Sequence, residues 1–300
     1  MTTIRTILTA IAACAILCAT AQTYDLKLDL KKGLKYDQSM IMNMTMDEAI
    51  AGQQIKMDMT ANFGYTQEVK SVEPNGDYVI ESTYEHIAMK VSAMGSTITY
   101  DSDLKKQKDS IAESLGSTFS KVIGKKFLVT VSPKGKVSKV TGLKEILTDM
   151  MASSTPNAVQ LVQTFFDEDK IISNYSSAYG YFPDHAVKVG ETWNNTNQIQ
   201  SVVPVDIKST YTLKEVKGNN AVIGMAADIA MKNDSMEVQG MTAKLDLKGT
   251  FAGDYKMDIK TGLPTAGSID MPITGSMEIM NMAVPMNMKS SMDMRCKIRP

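Results

Sequence analysis

The C-terminal stretch MNMAVPMNMKSSMDMRCKI, residues 280–298, places an apolar side chain at every even position except Ser290. Successive side chains of a β-strand point to opposite faces, so this alternation predicts one long strand with a dry face and a wet face. Pro285 lies on the opposite parity, which we interpret as a sign of an edge strand or a bulge at that point.

The same alternation recurs along most of the chain. Met40 to Met46 places methionine at every even position, and Ile55 to Tyr65 repeats the pattern on odd positions, so the two runs predict a β-hairpin. Tyr24 to Leu30 alternates in the same way near the N-terminus. From Gln198 onward the pattern continues strand after strand, and the whole chain predicts about a dozen antiparallel strands.

The periodicity changes between Ser102 and Asp169. Apolar residues there recur at helical spacing in three runs, residues 102–124, 143–151 and 155–169, with a hairpin at 127–142 after the first run. Helices do not alternate regularly with strands, which argues against a doubly wound parallel sheet. We therefore predict a mainly β fold with inserted helices: a curved antiparallel sheet or incomplete barrel, with two or three helices against its concave face.

Residues 1–21 have the pattern of an export signal. Arg5 precedes an uncharged apolar run, and Ala19-Thr20-Ala21 is typical of a cleavage site before Gln22. Cys14 follows small residues, so its lipidation in an outer-membrane lipoprotein is the alternative. We predict a periplasmic or secreted protein in which residues 22–300 form a single β-rich domain, with possible halves 22–174 and 184–300.

Composition excludes several classes of function. The net charge of −1 gives no electrostatic reason to expect nucleic acid as a partner. After cleavage before Gln22 only Cys296 would remain, so no intrachain disulfide could form. The run of residues 6–20 is short for a bilayer-spanning helix, and we expect no transmembrane span.

Methionine is unusually abundant, with 24 residues against 7 Phe and one Trp. Its flexible side chain can fill a core, or line a surface that adapts to different apolar ligands. Thioether sulfur also prefers Cu(I), so a Met-rich copper-binding periplasmic protein is the alternative function. The candidate lining residues are Met40, Met42, Met44, Met57, Met59, Trp193, Met280, Met282, Met286 and Met288.

The sequence suggests no catalytic set. His86 and His185 are isolated, and we find no nucleophile elbow, zinc-type histidine pair or phosphate-binding glycine loop. Cys296 lies in an apolar stripe, which argues against a reactive thiol. Trp193 fits either a structural corner or a ligand contact. We therefore expect that the protein is not an enzyme and that it holds neither a cofactor nor a resident metal. We assign no catalytic residue.

Three features together carry a resemblance: the export signal and two short segments. Lys134-Gly135-Lys136-Val137-Ser138-Lys139-Val140-Thr141-Gly142, and the stretch from Phe182-Pro183 to Gly190-Glu191-Thr192-Trp193, resemble a family of secreted proteins of unknown function common in Bacteroidetes. The order of elements is similar to that of envelope lipoprotein-carrier folds, in which a curved sheet wraps helices around an apolar cavity. Together these features favour a non-enzymatic exported envelope protein that binds an apolar, lipid-like ligand or a protein partner.

Overall fold

The computed structural model describes residues 22–50, 53–152, 172–173, 175–176, 179–199, 205–238, 241–279 and 282–299. The predicted export signal, Met280 and the predicted helix at 155–169 lie outside these residues.

The described elements are strands with two inserted helices. In chain order they are β1 (Thr23–Tyr24), β2 (Lys35–Ile50), β3 (Gln53–Val72), β4 (Tyr78–Ala93), β5 (Ser96–Asp101), α1 (Ser110–Phe119), β6 (Lys126–Val131), β7 (Val137–Thr141), α2 (Leu143–Ala152), β8 (Val187–Lys188), β9 (Thr192–Ile199), β10 (Val205–Lys217), β11 (Asn220–Val238), β12 (Met241–Asp258), β13 (Pro264–Ile279) and β14 (Met282–Ile298). The predicted fold class, mainly β with inserted helices, is confirmed.

One large antiparallel sheet organises the chain. Its order is β7-β6-β4-β3-β2-β14-β13-β12-β11-β10-β9, with β5 paired to β4, while β1 and β8 form a separate two-stranded sheet. The terminal strands of this order, β7 and β9, are not paired with each other, so the sheet is open rather than a closed barrel. Strands from both halves of the chain meet at the β2–β14 ladder.

The C-terminal strand β14 lies in the middle of the sheet, between β13 and β2. As a whole β14 is therefore not an edge strand, but the predicted edge position holds locally at Pro285, which is paired with β13 and lies beyond the ladder with β2. Pro285 is opposite Ser276 of β13, and it comes one residue before Met286, where the ladder with β2 begins. A proline is tolerated there because it lies outside the β2 ladder.

The two helices lie towards one margin of the sheet; α1 is shorter than the predicted run 102–124, whereas α2 matches the predicted run 143–151 to within one residue. Helix α1 begins only after Asp109, whose carboxylate caps it by accepting a 2.8 Å hydrogen bond from the Ala112 amide. Phe119 of α1 packs against Tyr100 of β5, with ring centroids 5.4 Å apart. Helix α2 buries Leu143, Ile146 and Met150 next to β6. Neither helix of the described residues is long and apolar enough to span a membrane.

The N-terminal alternation predicts burial correctly but not pairing. Leu26, Leu28 and Leu30 are all buried, yet only Thr23–Tyr24 of this stretch is a strand. The Leu28 amide instead donates to the Pro133 carbonyl at 2.8 Å, and the Asp29 amide donates to the Thr261 carbonyl at 2.9 Å. The segment thus contacts two turns rather than a neighbouring strand, and its leucines enter the core without joining the large sheet.

Glycine allows close packing within the β12–β13 pair. Gly267 lies opposite Tyr255, and a Cβ atom at Gly267 would come within 2.8 Å of the Tyr255 ring. At Gly253 a Cβ atom would lie 2.0 Å from the Ser268 carbonyl oxygen. Strand glycines of this kind mark close backbone approach and local bending of a sheet.

Candidate functional site

The strand register gathers the methionine stripes of β2, β3 and β14 on one face of the sheet. Residues directly opposite each other in an antiparallel pair point to the same face. Met46 is opposite both Met57 and Met288, and several neighbouring pairs also join two methionines. The remaining opposed pairs are Met44–Met59, Met42–Met292 and Met40–Met294.

Neighbouring strands extend this face with other apolar residues. On β13, Ile269 is opposite Met292, and Ile273 is opposite Met288. Leu245 of β12 is opposite Met277 of β13. We call this continuous surface, from β4 to β11, the methionine face.

One end of the methionine face is covered by other parts of the chain. This covered end contains Tyr36, Phe63, Tyr78, Ile223 and Tyr255, all of which are buried. Covering side chains come from the N-terminal leucines and from the segment before β9; they include Leu26, Leu28, Leu30, Tyr179, Tyr181 and Phe182. The Tyr181 ring stacks on Tyr255 with centroids 5.5 Å apart, and its hydroxyl donates to the Gly262 carbonyl at 3.0 Å.

A buried hydrogen-bond network lies within the covered end. The Tyr179 hydroxyl donates to Gln67 Oε1 at 3.1 Å and lies 3.1 Å from the Tyr36 hydroxyl. Gln67 Nε2 donates to Ser82 Oγ at 2.9 Å and to the Tyr175 hydroxyl at 3.2 Å. Burial raises the pKa of Tyr36 and Tyr179 well above the ordinary range, and it raises the pKa of Tyr175 to about 12. These hydroxyls stay protonated at neutral pH and fix the segment before β9 to the sheet.

The other end of the face is only partly covered along the methionine rows of β2, β3 and β14, while Leu247 of β12 and Val284 of β14 are buried at the same level. This open end contains Met44, Met46, Met57, Met59 and Met288, and each of these side chains is half-buried. A half-buried row of adaptable thioether side chains, continuous with a dry core, can accept an elongated apolar molecule.

The opposite face of the same strands is polar. Thr45 donates to Asp58 at 2.8 Å, and Thr60 donates to Asn43 at 3.1 Å. Lys244 and Glu278 form an exposed ion pair at 3.2 Å. Over its open end the sheet therefore presents one largely apolar face, which also carries Glu48 opposite Met286 and Ile55, and one hydrated face.

The predicted lining residues occupy three kinds of position. Met40, Met42, Met44, Met57, Met59, Met286 and Met288 are half-buried on the methionine face. Met282 is 62% exposed at the start of β14, and Met280 lies outside the described residues. Trp193 is buried at the covered end, where its indole donates to the Tyr181 carbonyl at 2.9 Å and its ring stacks on Tyr211.

The histidines and Cys296 have separate surroundings. His86 Nε2 lies 3.1 Å from Asp101 Oδ1 and 3.7 Å from Asp103 Oδ2, so one polar cluster contains all three. His185 Nε2 is 3.0 Å from Glu191 Oε1 on an exposed turn. Cys296 is half-buried, and burial raises the pKa of its thiol to about 12, so the thiol is protonated at neutral pH.

Sequence reasoning missed two features of this site. It did not single out Gln67 or the tyrosines at 175–181, because single polar residues in a strand or loop carry no periodic signal. It also omitted Ile269, Ile273 and Leu245 from the lining, although their parity was readable. Only the register between strands places these three residues beside the methionines.

Comparison with protein families identifies the relatives of this fold. Residues 75–264 match the model of a family of unknown function, DUF6263. The chain belongs to this family. The matched region runs from the turn before β4 to the start of β13, and so includes both helices and the segment before β9. A comparison with curated proteins gives no match.

Solved structures are similar at the level of the fold. A lipovitellin structure that describes lipid–protein interactions has a TM-score of 0.51 at 10% identity, over 91% of this chain and 26% of lipovitellin. The chain thus spans about a quarter of the length of that protein. An outer membrane channel from Pseudomonas putida F1 is 11% identical over 90% of this chain and 97% of the channel, with a TM-score of 0.25.

Proposed function

We propose that this chain is an exported, non-enzymatic protein whose methionine face binds an elongated apolar ligand of the acyl-chain class. The observation that carries the proposal is the contrast along the methionine face, which is buried at the covered end and half-buried in the methionine rows of β2, β3 and β14 at the open end. The fold-level likeness to lipovitellin, a protein studied for lipid–protein interactions, supports the same class of ligand.

The dimensions of the face suit a single hydrocarbon chain. Met40 to Met46 covers about 20 Å of extended strand, because each residue advances the chain by about 3.3 Å. One leaflet of a bilayer core is about 15 Å thick, half of the usual hydrocarbon thickness. An acyl chain laid along β2 would therefore contact methionine side chains over its full length.

A matched pair of variants tests the ligand proposal. Met44→Gln combined with Met46→Gln places polar amides on the methionine face, whereas Thr45→Gln changes the residue between them, on the hydrated face. After lipid extraction, we expect the double variant to bind the fluorescent fatty acid cis-parinaric acid at least about tenfold more weakly than wild type, equivalent to about 1.4 kcal/mol. Thr45→Gln keeps wild-type affinity.

Two results would overturn the ligand proposal. One is that the wild-type protein as purified carries no lipid in native mass spectrometry and, after lipid extraction, does not bind the fatty acid. The other is equal loss of affinity in Thr45→Gln, which would show that the changes act through stability and not through the face.

Cu(I) binding is the second candidate, and one observation favours it. Met46 lies directly opposite Met57 and Met288, so three thioethers occupy neighbouring positions on three strands. Soft sulfur ligands of this kind suit Cu(I). Leucine substitution at Met46 and Met288 separates the two functions, because leucine preserves the apolar surface and removes the sulfur. Retained fatty-acid binding with lost Cu(I) binding would assign copper to these residues, whereas unchanged Cu(I) titration would exclude them.

Export is proposed from the pattern of residues 1–21. We expect the mature protein to begin at Gln22 and to be recovered from the periplasm or the medium. N-terminal sequencing and intact mass measurement test this, because lipidation would leave Cys14 as the first residue with an added acyl mass. A protein that starts at Met1 in the cytoplasm would contradict the proposal.

A further inference from the structure

One carboxylate interrupts the methionine face. Glu48 of β2 lies opposite Ile55 of β3 and opposite Met286 of β14, so its side chain is on the apolar side of the sheet. Among the described residues, the aligned positions of β2, β3, β12, β13 and β14 on this face otherwise carry no Asp, Glu, Lys or Arg. In this part of the described chain, Glu48 is therefore the single charged group of the methionine face.

The surroundings of Glu48 do not compensate its negative charge. Its side chain is half-buried, and so are the side chains of Ile55 and Met286 beside it. Within the described residues, no hydrogen bond or ion pair involves the Glu48 carboxylate. A carboxylate that loses hydration to apolar neighbours without gaining a partner costs free energy. A cationic group from outside the chain would offset this cost, and so gives the position of Glu48 a physical reason.

Carboxylates on the hydrated face of the same strands have different neighbours. Asp47 directly precedes Glu48 and points to the opposite face, where it is exposed and lies opposite Lys56 of β3. Lys56 also pairs with Asp58 at 3.6 Å on that face. Asp47 and Asp58 thus lie beside a basic residue and water, whereas Glu48 lies beside apolar residues. This contrast makes Asp47 a matched control for Glu48.

The two ends of the methionine face set the direction of a bound amphiphile. Tyr36 and Phe63 are buried at the covered end, so a hydrophobic tail points there and a polar head stays at the open end. Glu48 follows Met46 by two residues, which places it about 7 Å further along β2. A tail that lies over Met46 to Met40 therefore brings its headgroup to the Glu48 carboxylate.

We infer that Glu48 selects the headgroup of the ligand, and that the ligand is an amphiphile whose head carries an ammonium group. An ammonium donates charge-assisted hydrogen bonds to a carboxylate and balances its charge, whereas an anionic head is repelled. A long-chain amine and the ethanolamine head of a phospholipid share this chemistry. The inference rests on the proposed function, to which it adds a specificity-determining residue and a class of headgroup.

Isothermal titration calorimetry tests the headgroup preference. Delipidated wild-type protein is titrated with dodecylamine, dodecanol and dodecanoic acid, which carry a cationic, a neutral and an anionic head on chains of equal length. We expect dodecylamine to bind at least about tenfold more tightly than dodecanol, which is the effect of one charge-assisted hydrogen bond, and dodecanoic acid to bind more weakly. Comparison of lysophosphatidylethanolamine with lysophosphatidylglycerol shows whether the site also accepts the ammonium of a phospholipid.

Charge variants assign the preference to Glu48. Glu48→Gln should lower the affinity for dodecylamine to about that for dodecanol, and it should raise the affinity for dodecanoic acid. Glu48→Lys should make dodecanoic acid the tightest ligand of the series. Asp47→Asn removes the same charge from the hydrated face and should keep the wild-type order of affinities. The midpoint of thermal unfolding should not fall in Glu48→Gln, because no described contact of the fold is lost.

Dodecanol separates the headgroup inference from the proposed function. If neither dodecanol nor any other ligand of the series binds, the methionine face does not hold acyl chains and both proposals are wrong. If dodecanol binds and dodecylamine binds no more tightly, the proposed function stands and the headgroup inference is overturned. The headgroup inference is also overturned if Asp47→Asn loses the preference as fully as Glu48→Gln, because the preference would then reflect net charge.

Discussion

The covered end and the open end of the sheet use the same β-strand pattern with different side chains. At the covered end, tyrosine, leucine and valine are buried and fixed by hydrogen bonds and ring contacts. At the open end, methionine dominates and remains half-buried. Rigid aromatic packing specifies one arrangement, whereas flexible thioethers tolerate several. One strand can therefore contribute to a rigid core at one end and to an adaptable surface at the other end.

Alkaline pH should destabilise the covered end most strongly. The ordinary pKa of tyrosine is 10.0, and burial raises the pKa of Tyr175 to about 12. Burial also raises the pKa values of Tyr36 and Tyr179. Between pH 10 and pH 12 the unfolded chain binds fewer protons than the folded chain, so stability falls as pH rises.

The pH effect is measured by urea unfolding at a series of pH values, with tyrosinate absorbance as the second readout. Because burial raises the pKa values of several tyrosines together, we expect the free energy of unfolding to fall steadily above pH 10. The folded protein should keep its stability from neutral pH to about pH 9. An unchanged free energy of unfolding between pH 9 and pH 12 would contradict the buried network.

Leu28→Ala should cost about 2–5 kcal/mol in the free energy of unfolding, because Leu28 is 1% exposed and its removal leaves a cavity. Met44→Ala at the open end should cost clearly less, since its side chain is already half-exposed. Equilibrium urea unfolding of the two variants measures the difference. Equal losses would mean that the two ends are packed alike.

Tyr179→Phe should cost about 1–3 kcal/mol, because it removes the hydrogen bond to the buried Gln67 and leaves that amide oxygen without this donor. Tyr24→Phe, at a half-buried position near the N-terminus, provides the comparison variant. Hydrogen exchange at residues 179–199 should increase in Tyr179→Phe. An unchanged stability would show that the network is not what holds this segment.

Glu278→Gln should change stability by less than about 1 kcal/mol, since the pair with Lys244 is solvent-exposed. Fatty-acid binding should not change either, because both side chains lie on the hydrated face. Thermal unfolding with a ligand titration checks both expectations. A large loss of fatty-acid binding would indicate that the ligand binds the hydrated face and not the methionine face.

Sequence reasoning was accurate where a property depends on one strand alone. The parity of Met40 to Met46 predicts which side chains share a face, and the structure confirms an antiparallel sheet that is not closed. Sequence reasoning did not predict that β14 lies inside the sheet, or that Leu26 to Leu30 is not part of a strand. Alternation of side chains does not show which strand pairs with a segment, or whether any strand does.

The sequence by itself determined the fold class, the two-sided character of the strands and the abundance of methionine, since each follows from local alternation and composition. Only the tertiary structure decided that β14 pairs with β2, and that the N-terminal leucines and the tyrosines before β9 cover one end of the apolar face. The physical reason is that alternation acts along a single strand, while register and coverage arise from contacts between residues far apart in the chain.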